Sequence, residues 1–182
     1  MQRAGRPVDM HPLKPVLGFA AFSGTGKTTL LKQLIPLLAQ RGVHTGIIKH
    51  AHHDFDTDKP GKDSYELRKA GARQVLVASD RRWALITEND TVAEPNLNEL
   101  IARLDRESID LVLVEGFKKV PFSRIELHRP SLGYPLLYPD DDSIIAVAAD
   151  AILDTGDLPL LDINNAVEMT EFILSWLETR PP

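Results

Sequence analysis

The feature that most constrains this chain is the passage from a short apolar run, through a glycine-rich loop, into a helical leucine pattern at residues 16–38. Val16-Leu17-Gly18-Phe19-Ala20-Ala21 has the pattern of a strand buried on both faces. Leu30, Leu31, Leu34, Leu37 and Leu38 then recur at helical spacing, and Gly42 provides the stop. Pro36 lies inside that helix and is expected to bend it, because it removes a backbone donor and crowds the preceding turn. Between strand and helix stands Ala21-Phe22-Ser23-Gly24-Thr25-Gly26-Lys27-Thr28-Thr29, a relaxed phosphate-loop pattern with Ala21 where the usual motif opens on Gly. Gly24 and Gly26 let the backbone curl until several N–H groups face one anion, and the helix adds the positive end of its dipole. Lys27 then reaches the β and γ phosphates and Thr28 offers a hydroxyl to Mg²⁺. The candidate nucleotide contacts are therefore Ser23, Gly24, Thr25, Gly26, Lys27, Thr28 and Thr29.

The rest of the chain alternates strands and helices. Thr45–Lys49 reads as a strand, the polar run 50–62 as a loop, and Asp63 with Glu66 as a capping box that opens a helix closing near Gly71. Gln74–Ala78 and Trp83–Thr87 are neighbouring strands, followed by a helix over Asn96–Arg106. Leu111–Val114 and Ile144–Ala148 are further apolar strands. A last helix opens at Asn165 and Glu168, with Met169, Phe172, Ile173 and Trp176 on one face. This order implies an α/β fold of the phosphate-loop nucleotide-hydrolase type: three layers, a mainly parallel sheet with helices on both faces, ligands gathering at the carboxyl ends of the strands. Residues 1–14 read as a flexible leader and residues 15–182 as a single nucleotide-binding domain.

A phosphate loop requires an acidic residue near its metal. Glu115 follows four apolar residues, so it emerges at the carboxyl edge of the sheet, as a metal-shell carboxylate or as an ordinary strand-end acid. Asp54, Asp56 and Asp58 are further candidates for the shell, with Asp58 preferred. The catalytic pair is Lys27 with Glu115. The stretch His50-Ala51-His52-His53-Asp54 follows no familiar zinc spacing. Lys49, His50, His53, Lys59 and Lys62 read either as a polar wall toward phosphate or other anionic substrate oxygens, or as a solvated loop.

Charge supports an anionic small-molecule ligand. Between Arg41 and Arg82 there are 9 Lys/Arg against 6 Asp/Glu, whereas from Pro139 onward 10 Asp/Glu face Arg180 alone. No strongly basic face points to nucleic acid. The absence of cysteine excludes disulfides, iron–sulfur clusters and thiolate zinc sites. No apolar run approaches the roughly 18 residues of a membrane helix, so a cytoplasmic protein is expected.

Phe22 to Leu30, Ile48-Lys49-His50-Ala51-His52-His53-Asp54, Asp58-Lys59-Pro60-Gly61-Lys62-Asp63-Ser64 and Val114-Glu115-Gly116-Phe117-Lys118 together resemble the molybdopterin-guanine dinucleotide biosynthesis protein B (MobB) family. The likeness runs from about Pro15 to the final helix and omits the leader and Arg129–Asp142. It implies a homodimeric protein that binds GTP with Mg²⁺, hydrolyses it weakly, and assists attachment of guanosine monophosphate to molybdopterin. The nucleotidyl transfer would belong to a guanylyltransferase partner. Guanine offers two adjacent donors that one carboxylate can accept, and the Asn-Lys-x-Asp segment usual for this is absent. Asp150, after the strand Ile144–Ala148, is either that reader or a turn residue before Ala151. Two other functions compete: a phosphotransferase, for which Arg124 and Arg129 are the nearest substitutes for a basic lid, and a pterin carrier in which nucleotide is structural.

Overall fold

The structure, a computed structural model, describes residues 14–51, 55–90 and 93–180. The chain forms two compact units. One runs through His50 and resumes at Leu97; the other is Ala51–Asn96.

The first unit is built on a six-stranded sheet: β1 (Val16–Ala21), β2 (Thr45–Lys49), β5 (Leu111–Glu115), β6 (Arg124–His128), β7 (Ile144–Ala149) and β8 (Leu160–Asp162). Their order is β2-β5-β1-β6-β7-β8 and every pairing is parallel. The strand carrying the phosphate loop is thus central, flanked by β5 and β6. Alternate residues of these strands face opposite layers. On one face Leu17, Phe19, Leu111, Leu113, Ile125 and Leu127 meet α1 (Lys27–Gln40) and α4 (Ala166–Glu178). On the other, Val112, Val114 and Ile48 meet Leu97, Ile101 and Phe117, the first two from the short α3 (Leu97–Ile101). Helices therefore cover both faces, as the alternation implied.

Leu30, Leu31, Leu34 and Leu38 of α1 are buried and Gly42, at φ +80°, follows its end. Each leucine is worth about 1.5–3 kcal/mol on burial, so the stripe outweighs the roughly 3 kcal/mol that an interior proline costs. Pro36 indeed stays within the helix, on an exposed position where the carbonyl it leaves unpaired can reach water. In α4, Asn165 is the N-cap and its side chain accepts from the Glu168 N–H at 3.2 Å. Met169 and Ile173 are fully buried.

The second unit contains α2 (Asp63–Lys69) and the antiparallel hairpin β3 (Gln74–Ala78) and β4 (Trp83–Thr87). The cap of α2 sits one residue earlier than the sequence implied: Lys62 is the N-cap and Asp63 already helical, while Glu66 reaches back to accept from the Gly61 N–H at 3.1 Å. Arg68 pairs with both Asp56 and Glu88.

Three elements differ from expectation. The helix over Asn96–Arg106 is only Leu97–Ile101, because the backbone then changes to i→i+3 bonds (Arg103 to Leu100, Leu104 to Ile101) and Asp105 accepts from Glu107 to close a turn. Strands β6 and β8 were not foreseen. Arg124, Glu126 and His128 give β6 a polar alternation, yet all five of its residues are buried; β8 has three residues, too few for a pattern.

Candidate functional site

The phosphate loop leaves β1 at Ala21 and enters α1 at Lys27. Gly24 and Gly26 have φ of +84° and +98°, a region L-residues rarely adopt. Thr25 is buried and its hydroxyl donates to the Phe22 carbonyl at 2.8 Å, closing the turn. The Thr25 N–H donates to the same Phe22 carbonyl at 3.5 Å. Gly26 is the N-cap of α1, makes no side-chain cap, and no acidic residue follows in the first turn. The first N–H groups of a 14-residue helix are thus left for an external anion, at the positive end of its dipole. Ser23, Thr28 and Thr29 are exposed around this mouth.

Glu115 ends β5 level with Phe19 of β1 and Lys49 of β2. Its carboxylate lies 4.0 Å from Lys27 Nζ and 3.8 Å from Lys49 Nζ. A largely buried carboxylate is costly to leave unpaired. The His50 N–H donates to the Glu115 carbonyl at 2.9 Å, and the His50 ring stacks on Phe117 at 4.7 Å. This close approach depends on Gly116, at φ +90°, where a Cβ would fall 2.7 Å from that of His50. The sheet edge thus brings Lys27, Lys49, His50 and Glu115 together beside the loop. Thr28 and Glu115 are hard oxygen donors that suit Mg²⁺. Among the described residues no three His, Asp or Glu side chains converge.

With that geometry, the matches to known proteins become interpretable. The family model described as MobB, molybdopterin guanine dinucleotide synthesis protein B, matches residues 16–150. The chain belongs to the MobB family. It is 53% identical over 165 residues to the molybdopterin-guanine dinucleotide biosynthesis adapter protein of Escherichia coli (strain K12), covering 90% of this chain and 94% of that one. Likeness to the Haemophilus influenzae adapter protein is 46% over 164 residues, or 90% and 89% of the two chains. A crystal structure of molybdopterin-guanine biosynthesis protein B matches with a TM-score of 0.69 at 26% identity, over 88% of this chain and 99% of that one. The crystal structure of Bacillus subtilis MobB, at 23% identity and a TM-score of 0.70, covers 91% and 99% and shares the fold.

The other candidates fall in both units. Asp150 stands exposed at the end of β7, its Oδ2 accepting from Arg129 Nη1 at 2.6 Å. Asp58, Lys59 and Lys62 belong to the second unit. There Asp58 Oδ1 accepts from the Ser64 hydroxyl at 3.0 Å, while Oδ2 is buried without a hydrogen-bond partner among the described residues, an oxygen chemically suited to a cation or a water. Asp56 is engaged with Arg68. His53 and Asp54, with His52 and most of the leader, lie outside the described residues.

The reading of Arg124 as a lid substitute is corrected by its burial. It sits at the start of β6 and donates to the carbonyls of Phe117 and Val120 at 2.8 and 2.5 Å and to the Ser143 hydroxyl at 2.5 Å. Burial holds its guanidinium below the ordinary arginine value, with Asp141 acting against that shift. It fastens the connection after Glu115 and does not face a ligand. One residue of the region, Glu126, escaped the sequence reading, and Arg129 was read only as a substitute for a basic lid. Glu126 is fully buried, and its two oxygens accept from the N–H groups of Leu137 and Tyr138 at 2.8 and 2.9 Å. Arg129 donates through Nε to the Thr25 carbonyl of the phosphate loop at 2.9 Å. The available signal was its place one residue past an alternating strand at the ligand edge of the sheet.

Proposed function

We propose that this chain is a GTP-binding adapter in molybdenum cofactor biosynthesis, which assists conversion of molybdopterin to molybdopterin guanine dinucleotide while a separate guanylyltransferase performs the nucleotidyl transfer. The adapter role rests on family membership and on the two relatives that carry that description. The nucleotide role rests on one observation above the others: the Glu115 carboxylate beside Lys27, at the mouth of a helix whose N-terminus has no side-chain cap.

In this reading the loop from Ser23 to Thr29 holds the triphosphate and Lys27 takes the β and γ oxygens. Thr28 and Glu115 hold Mg²⁺, which when bound supplies positive charge against those oxygens. Lys49 and His50 flank the same edge and suit the phosphate of an anionic pterin. Asp150 receives the two guanine donors. The protein works as a homodimer in the cytoplasm and hydrolyses GTP slowly.

The test is a calorimetric titration of Mg²⁺ with GTP and, separately, ATP into the parent and into Lys27→Ala, with phosphate release followed in the presence and absence of molybdopterin. GTP is expected to bind in preference to ATP, and Lys27→Ala to lose both while its circular dichroism is unchanged. Unaltered GTP affinity in Lys27→Ala would remove the phosphate loop from the mechanism. Transfer of the γ-phosphate to the acceptor, with no release to water, would instead make the protein a phosphotransferase.

A further inference from the structure

Three neighbouring strands end at one level on the ligand edge of the sheet. His128 of β6 pairs with Ala149 of β7, which pairs with Asp162 of β8. The residues that follow these strands therefore leave the sheet side by side. The first of them, Arg129, directs each guanidinium nitrogen to a different element. Nε donates to the Thr25 carbonyl at 2.9 Å, Nη1 to Asp150 Oδ2 at 2.6 Å and Nη2 to Asn164 Oδ1 at 2.8 Å. One planar fork thus ties the phosphate loop to the ends of the two strands beyond it. A lysine, with a single point of charge, cannot serve three divergent acceptors in this way.

We infer that Arg129 is a positioning residue that links the phosphate loop to base recognition, presenting the Asp150 carboxylate to guanine; this rests on the nucleotide reading above. A trans peptide points its C=O and N–H to opposite sides. With the Thr25 carbonyl held by Arg129, the N–H of Gly26 is turned to the other side of the loop, where the anion is cradled. Gly26 at φ +98° completes that arrangement, and a Cβ there would lie 3.8 Å from Arg129 Nη2. On the other side, the ion pair with Arg129 fixes the orientation of the Asp150 carboxylate and offsets its repulsion of a nearby triphosphate. The pair is about a quarter exposed on both sides, so its value is geometric more than energetic. Asp150 Oδ1 and the second lone pair of Oδ2 then remain for the guanine N1–H and amine.

Arg129→Lys keeps the charge and removes the fork. The experiment titrates Mg²⁺ complexes of GTP, ITP and inorganic tripolyphosphate into the parent, Arg129→Lys, Asp150→Asn and the double variant. ITP lacks the exocyclic amine, so the GTP:ITP affinity ratio reports the carboxylate; tripolyphosphate reports the loop alone. The parent ratio is expected to be about ten or more, falling at least about threefold in Arg129→Lys and toward one in Asp150→Asn. The double variant should lose no more of the ratio than Asp150→Asn does, since a residue acting through another is non-additive with it. Asn164→Ala, which leaves Arg129 in place and removes one of its acceptors, should lower the ratio in the same sense by less. If Arg129→Lys keeps the parent ratio while all three ligands weaken together, the positioning role is overturned and GTP binding stands. A parent that binds GTP and ITP equally overturns the base reading and this role with it, and a parent that binds none of the three overturns the nucleotide reading itself.

Discussion

Glu115 brings a negative charge to the end of a strand whose five residues are all buried, and Lys27 and Lys49 at 4.0 and 3.8 Å make that charge tolerable. In the proposed metal role, its side chain would act as part of that balanced set. Glu115→Gln keeps the shape and removes the charge. Nucleotide binding without metal is expected to survive, whereas Mg²⁺-dependent phosphate release should fall about 10²-fold or more, the usual effect of losing electrostatic stabilisation in the transition state. Phosphate release at saturating GTP measures this, and unchanged turnover would take Glu115 out of the mechanism. Lys27, Thr28 and Glu115 were legible as candidates because each belongs to a local signal, a strand end or a strand–loop–helix passage. The inward turn of the Thr25 hydroxyl was not, since its acceptor is the loop's own carbonyl and depends on how the loop curls.

At the scale of elements, strands with continuous apolar runs declared themselves, while β6 did not. Its Arg124, Glu126 and His128 look like a solvated face until their partners are known, and those partners lie in the connections on either side of the strand: Phe117, Val120 and Ser143 for Arg124, Leu137 and Tyr138 for Glu126. Tertiary pairing overrode local character there. Glu126 is the clearest instance, a carboxylate 1% exposed that accepts two backbone N–H groups from the connection before β7. Glu126→Gln turns one acceptor into a donor facing a donor. Loss of one charge-assisted bond should lower stability by about 1.5–3 kcal/mol, read as a shift of the urea midpoint. A midpoint equal to the parent's would show that this connection contributes nothing to the cooperative fold. The short α3 has the opposite lesson: a helical apolar pattern over Asn96–Arg106 was present, but Asp105 offered the backbone a turn instead and the helix stopped at Ile101.

Over the whole molecule, the sheet order puts every candidate of the first unit on one edge: Lys27 after β1, Lys49 and His50 at the end of β2, Glu115 on β5, Arg129 after β6 and Asp150 after β7. The proposed ligation at that edge would be linked to stability, because a ligand that binds only the folded chain stabilises it by about 2.7 kcal/mol at one hundred times its dissociation constant. This linkage gives a global readout of a single side chain. If the Asp150 carboxylate accepts both guanine donors, Asp150→Asn places a donor against a donor, and GTP should weaken by about ten- to a hundred-fold. Xanthosine triphosphate has an oxygen where guanine has its amine, so it should bind the Asn variant better than it binds the parent. Thermal unfolding with Mg²⁺ and each nucleotide at one fixed concentration should show GTP raising the parent's midpoint more than the variant's, and xanthosine triphosphate doing the reverse. Damage to the fold cannot imitate that exchange, because it lowers the midpoint with either ligand. Parallel losses with both nucleotides, or no difference between the two proteins, would leave Asp150 as the counter-ion of Arg129 and a turn residue, with guanine recognised elsewhere.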